Sequence, residues 1–149
     1  MITAGGENVA PVIAEDKIKA ELPCISNAVL IGDKKKYLSV FLTLKTVVQN
    51  DMPTDKLAPE AVLWCQSVGS NATKVSDILS GPDGKIMSAI QAGIDRANKQ
   101  AISRAACVQK WTILPLDVSI PGGELGPTLK LKRFFFNNKY SEAIERLYD

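Results

Sequence analysis

A chain of 149 residues with a formal net charge of +2 is long enough for one domain with a single core, since chains of this length bury roughly 68–70% of the surface they expose when unfolded. The charge is too small to create the field that drives nonspecific attachment to nucleic acid or to a membrane surface. The absence of histidine removes Ser-His-Asp triads, Cys-His dyads and the commonest metal-ligand sets together, which leaves chemistry to Lys, Arg, Asp, Glu and backbone groups, with no metal site.

Cys24, Cys65 and Cys107 are odd in number and far apart in sequence, which fits neither a disulfide framework nor paired zinc ligands and predicts a reducing, cytoplasmic setting. No basic segment followed by an apolar one opens the chain, and no apolar run approaches the roughly 18 residues that a spanning helix needs. A soluble product without a transmembrane segment is expected.

The opening MITAGGENVAP puts a glycine-rich turn almost at the terminus with no element ahead of it, as in a truncated or excised domain. Ala14 to Leu22 is predicted to be a short helix, with Ile18 and Leu22 four apart and Pro23 just beyond. In NAVLIGDKKKYLSVFLTLK, Asn27 to Lys45, Leu38, Val40, Leu42 and Leu44 alternate with Ser39, Phe41 and Thr43, and the polar GDKKK serves as a turn. This is a two-stranded hairpin. QNDMPTDKLAP reads as a polar connector. A helix follows from Pro59, a favoured first position, to a stop at Gly69; Ala61, Trp64, Cys65 and Val68 share its buried face.

A longer helix is predicted from Gly84 to Arg104, with Ile86, Ile90, Ile94, Ala97 and Ala101 on one stripe. Arg96, Lys99 and Arg104 gather near its C-terminal end, where the macrodipole favours cations, and need no ligand. Val108 to Leu114 is rich in strand formers and is expected to join the hairpin as a third strand. Tyr140, Ala143, Ile144, Leu147 and Tyr148 make the face of a closing amphipathic helix. The fold class is therefore α+β: a small three-stranded sheet with flanking helices and an N-terminal glycine-rich turn, residues 1–149 forming a single domain.

Two stretches offer chemistry. In GGELGPTLKLKR, Gly122 to Arg133, alternation puts Leu129 and Leu131 on the anchoring side of a short strand and Lys130 and Lys132 on the other. A solvated edge strand whose lysines discourage aggregation explains the pattern; a shaped loop presenting Lys130 explains the glycines and Pro127 as well. In TAGGENV, Thr3 to Val9, consecutive glycines permit positive φ and close approach of a backbone or a slender ligand. Neither a phosphate-binding Walker loop nor a dinucleotide fingerprint is present.

Together the two stretches are more specific than either alone. ITAGGENV followed by Pro11 and Glu15, GGELGPTLKLKR, and the segments ISNAVLIGD, LSVFLTLK, VGSNATKVS and QKWTIL make the chain resemble, over nearly its whole length, the C-terminal domain of the adenylate-forming superfamily, within it the bubblegum-type long-chain acyl-CoA synthetases. The resemblance implies a mobile lid on a much larger N-terminal domain that is absent from this chain, with a hinge ahead of Met1. That domain would hold ATP, Mg2+ and the fatty acid, with CoA as co-substrate and an attachment at an intracellular membrane open to it. It assigns the adenylation lysine to Lys130, and to Gly5, Gly6, Glu7 and Asn8 the loop that flanks the CoA channel. Lys132 and Arg133 either position the strand, meet phosphates or face solvent. Glu15 matches a family carboxylate, and a helix-start acid favoured by the macrodipole explains it equally. The isolated chain is then expected to be inactive. A stand-alone module binding CoA or a protein, without catalysis, is the alternative.

Overall fold

The computed structural model describes residues 1–81 and 84–149. After the glycine loop, α1 (Pro11–Glu21) leads into β1 (Ile25–Ile31) and β2 (Leu38–Leu44), the expected hairpin, paired antiparallel from Ile25↔Leu44 to Ile31↔Ser39. α1 begins earlier than its apolar spacing suggests because Pro11 occupies the first helical position, where the missing N–H costs nothing. β5 (Val108–Ile113) joins β2 in parallel, giving a mixed sheet in the order β1-β2-β5. The third strand is where the sequence puts it, and the fold class is the expected α+β.

The segment expected to be a polar connector is a second hairpin, β3 (Thr46–Gln49) and β4 (Met52–Leu57). Its two-residue turn is Asn50-Asp51, at φ 52° and 63°. Those left-handed values define the tight turn whose twist matches paired strands, and Asn and Asp tolerate them best after glycine. Pro53 fits because the ribbon has only two strands, so a missing N–H breaks no central ladder. α2 (Pro59–Ser67) stops short of Gly69 as expected, with Cys65 buried and Trp64 half-buried. α3 (Val75–Ser80) has no counterpart in the sequence reading.

α4 (Gly84–Asn98) ends six residues before the predicted Arg104. The side chain of Asn98 pairs with the backbone of Val108, accepting from its N–H at 2.9 Å and donating to its carbonyl at 2.9 Å, which turns the chain back toward β5. Ala101 therefore leaves the apolar stripe and Arg104 opens a short 3₁₀ turn. Arg96 is held by Glu21 of α1, at 2.7 Å, rather than by the helix dipole alone.

Both faces of the sheet are covered. Ala28, Leu30, Leu38, Val40, Leu42 and Leu44 point into the main core with Ile18 and Leu22 of the α1 region, Ala61 and Cys65 of α2, Val75 and Ile78 of α3 and Ile86, Ile90 and Ile94 of α4. Val29, Ile31 and Phe41 point the other way, into a second cluster closed by α5 (Arg133–Lys139) and α6 (Ser141–Leu147) through Phe136 and Ile144. α6 is the expected closing helix; the FFFNNK run that forms α5 was not assigned to an element from the sequence. No helix among the described residues is long and apolar enough to cross a membrane.

α1 and α4 approach closely because Gly93 has no side chain. A Cβ there would lie 2.4 Å from Cδ2 and 2.7 Å from Cγ of the fully buried Leu22. Gly93→Val should destabilise the chain by about 1–3 kcal/mol through overpacking, read as a lower midpoint in urea at unchanged slope.

Candidate functional site

Two loops stand out from this frame, each tied down at its base and bare at its tip. The glycine loop is a miniature hairpin. Ile2 bridges Asn8, Thr3 N–H donates to Glu7 O at 2.9 Å, and Gly6 N–H donates to Thr3 O at 3.0 Å. Gly6 sits at φ 84°, which only glycine adopts without strain, whereas Gly5 does not need such a conformation. A Cβ on Gly6 would meet nothing within 4 Å and one on Gly5 only Thr3 Oγ1 at 4.0 Å. The bareness of Gly5 thus serves nothing inside this chain. Glu7 accepts from Ser103 Oγ at 3.1 Å, tying the loop to the segment after α4, and the Asn8 side chain is exposed.

Lys130 lies on the second loop, and its local structure differs from the expected strand. Gly126-Pro127 forces a turn closed by Leu129 N–H to Gly126 O at 2.8 Å, and Gly126 N–H donates to Lys130 O at 2.9 Å. Leu129 takes φ 66° and is 68% exposed, while Leu131 bridges Leu125 and packs on the second core cluster. Only one of the two leucines anchors. The period of two fails because a turn precedes it and α5 begins at Arg133 directly after it. The Lys130 side chain is exposed and has no hydrogen bond or ion pair among the described residues. Lys132, also exposed, stands at the N-cap position of α5 without a side-chain cap hydrogen bond.

The base of this loop is held from inside by Glu124, 2% exposed. Its Oε2 accepts from Tyr140 Oη at 2.7 Å and Lys139 Nζ at 3.0 Å, and its Oε1 faces the Ser119 N–H. Gly122 leaves the room, since a Cβ there would lie 2.3 Å from Glu124 Oε1. Burial alone would raise the Glu124 carboxyl, but the hydrogen bonds from Tyr140 and Lys139 outweigh it and hold the group below the usual carboxylate range. Burial, then the Glu124 hydrogen bond, push the Tyr140 phenol up.

Arg133 is engaged rather than free. Its Nη1 and Nη2 bind Glu15 Oε2 and Oε1 at 2.9 and 2.7 Å, a two-point pairing between residues 118 positions apart. Glu15 is 7% exposed and also accepts the Leu30 N–H of β1 at 2.6 Å. It is the fifth residue of α1, past the first turn, so a helix-start acid does not describe it. The sequence held no spacing from which this long-range pair could be read. Cys24 and Cys65 meet in the main core; burial first, then the neighbouring Cys65 thiol, push Cys24 up to about 12, which makes it an inert core thiol. No group of three or more acidic, cysteine or histidine side chains among the described residues is placed to hold a metal.

The chain's sequence matches the AMP-binding enzyme C-terminal domain family. The chain belongs to that family, whose model matches residues 1–114, a span that contains the glycine loop and Glu15 and stops before Lys130. Over 99% of its length it is 53% identical to the long-chain-fatty-acid–CoA ligase ACSBG2 of Xenopus laevis and 51% identical to ACSBG1 of Homo sapiens, covering 20% and 21% of those proteins. The chain therefore spans about a fifth of the length of these curated relatives. The fold also matches the adenylation domain of a carboxylate reductase from Mycobacterium chelonae, with a TM-score of 0.67 at 21% identity over 99% of this chain and 19% of that one.

The ionised Glu124 stabilises the loop, so its contribution is complete above the unfolded carboxylate pKa and is lost as pH falls through the lower folded one. Glu124→Gln should cost about 1–3 kcal/mol at neutral pH and should flatten the loss of melting temperature below about pH 5. Parallel melting curves of the two proteins across that range would contradict this account of the loop.

Proposed function

We propose that the chain is the mobile lid of an AMP-forming long-chain fatty acyl-CoA synthetase, working in the cytoplasm against its own N-terminal domain. The single observation that carries this reading is Lys130, a cation with no partner among the described residues on a loop braced by Glu124 and, three residues on, by the Arg133–Glu15 pair. The names of the relatives supply the reaction class.

The reaction has two halves. A fatty carboxylate attacks the α-phosphate of ATP, forming the acyl-adenylate and releasing pyrophosphate; the CoA thiol then attacks the acyl carbon and AMP departs. In the first half Lys130 reaches between carboxylate and phosphate and offsets the charge developing there, which for one well-placed group is worth typically about 10²–10³ in rate. A compact ammonium on a flexible stem suits insertion into a site built by another domain. Lys132 and Arg133 hold the loop rather than meet phosphates in this scheme, Arg133 being committed to Glu15. Mg2+ falls to the rest of the ligase, since the acidic residues here are dispersed.

In the second half the lid rotates between two discrete states, withdrawing Lys130 and bringing Gly5 and Gly6 beside the pantetheine arm. The open space around both glycines supports this, since their missing side chains are not needed for internal packing. Glu7 and Asn8 keep the loop in shape. By the same scheme the chain alone does not turn over.

The test is made on the full-length ligase. Lys130→Ala should lower acyl-adenylate formation about 10²–10³-fold while largely sparing transfer from preformed acyl-adenylate to CoA. Gly6→Leu should do the reverse, provided that melting shows it still folded, because a residue bearing Cβ in that conformation costs on the order of 1–2 kcal/mol. Equal losses in both half-reactions for either variant would remove the two-state lid.

A further inference from the structure

Lys130 must deliver its ammonium to one place, yet that ammonium has no ion pair among the described residues. Its position is set through the backbone. Lys132 N–H donates to Glu124 O at 2.7 Å, Gly126 N–H donates to Lys130 O at 2.9 Å, and Leu125 bridges Leu131, so Glu124 and Lys130 lie on the two arms of one tight turn. A shift of the first arm carries Lys130 with it. Glu124 is fixed in turn from the sheet. Its Oε2 accepts from Tyr140 Oη at 2.7 Å and from Lys139 Nζ at 3.0 Å, and Lys139 Nζ also donates to Gly122 O at 3.1 Å. Tyr140 stands at the joint between α5 and α6, with its ring 4.6 Å from that of Phe136 and 6.4 Å from that of Phe41, both fully buried. Phe41 belongs to β2, the central strand. A continuous run of contacts thus leads from the middle of the sheet through Tyr140 and Glu124 to the backbone of Lys130.

From this run of contacts we infer that Tyr140 and Glu124 are positioning residues for the adenylation half-reaction, acting through Lys130 without contact to substrate. This rests on the lid reading above. A cation held in place beforehand needs no reorganisation at the moment of reaction, and displacing a reacting group by about 1 Å can cost on the order of 10²-fold in rate. The two partners of Glu124 contribute differently. Lys139 balances the charge from a long flexible stem, whereas the Tyr140 hydroxyl is a directional donor on a ring whose place is fixed by packing. Thioester formation makes no use of Lys130 in this scheme, so the influence of Tyr140 and Glu124 is confined to the first half.

The experiment uses the full-length ligase at a temperature where melting shows each variant folded, and follows acyl-adenylate formation separately from transfer of preformed acyl-adenylate to CoA. Tyr140→Phe keeps the ring against Phe136 and Phe41 and removes only the hydroxyl. It should lower the kcat of adenylation about tenfold, with the KM values for ATP and fatty acid and the rate of transfer unmoved. Glu124→Gln should lower that kcat by about 10- to 100-fold. In a Lys130→Ala background neither substitution should lower adenylation further, because both act through the ammonium already removed. Losses in both half-reactions, a raised KM at unchanged kcat, or a further loss on top of Lys130→Ala would overturn the positioning role and leave the two residues with a part in folding alone. So would wild-type adenylation by both variants. Lys130→Ala by itself separates the two proposals. If it spares adenylation, the lid reading fails first; if it depresses adenylation while Tyr140→Phe and Glu124→Gln do not, only the positioning role fails.

Discussion

A buried carboxylate ties the lysine loop to the sheet and to the first helix. Glu15 is almost out of solvent, and an ionised group in that position is tolerated only with its lone pairs filled. Two come from the Arg133 guanidinium and one from the Leu30 N–H. One residue thus joins the start of α5 to the first helix and to the edge strand β1, which already pack on each other in the main core. Removing either partner of such a pair is costly because the other is left uncompensated. Arg133 is also the residue at which the Lys130 loop becomes a helix, so its position registers the loop against the sheet.

The two loops are held by different means. Backbone hydrogen bonds to the hairpin turn hold the glycine loop, helped by the side chains of Thr3, Asp33 and Ser103, and Gly6 takes the positive φ. The lysine loop is held by a polar cluster of Tyr140, Lys139 and Ser119 around the buried Glu124. Such clusters specify one geometry when fully satisfied. In both cases the tip is open: a Cβ on Gly6 would meet nothing within 4 Å, and the Lys130 ammonium has no ion pair among the described residues. Rigid support beneath an unpartnered tip places a reacting group accurately and leaves it free to engage.

Exposed apolar side chains gather around the lysine loop as well. Phe134 is 83% exposed, Leu129 is exposed beside Lys130, and Phe135 covers Gly123, where a Cβ would come within 2.6 Å of the ring. An apolar collar around a cation suits a surface that is covered when the cation is in use.

The sequence by itself determined the elements whose period is set by burial. Alternation and a polar turn marked the β1–β2 hairpin, a run of strand formers marked β5, and helical spacing marked α1, α2, α4 and α6, because each places an apolar face on a core. The glycine and lysine stretches are legible in it as compact local motifs, and the roles given to Lys130, Gly5 and Gly6 are proposals. Its failures lie where a distant group decides the outcome. α4 stops at Asn98 because Val108 engages that side chain, the expected strand at Leu129 is broken by a turn and by the helix that Arg133 begins, and the β3–β4 ribbon depends on Asn50 and Asp51 accepting left-handed backbone. The pairing of Glu15 with Arg133 and the brace around Glu124 were decided by tertiary structure alone. Hydrogen bonds and ion pairs between residues a hundred positions apart leave no periodicity in the chain, so only the folded arrangement of charge, distance and burial reveals them.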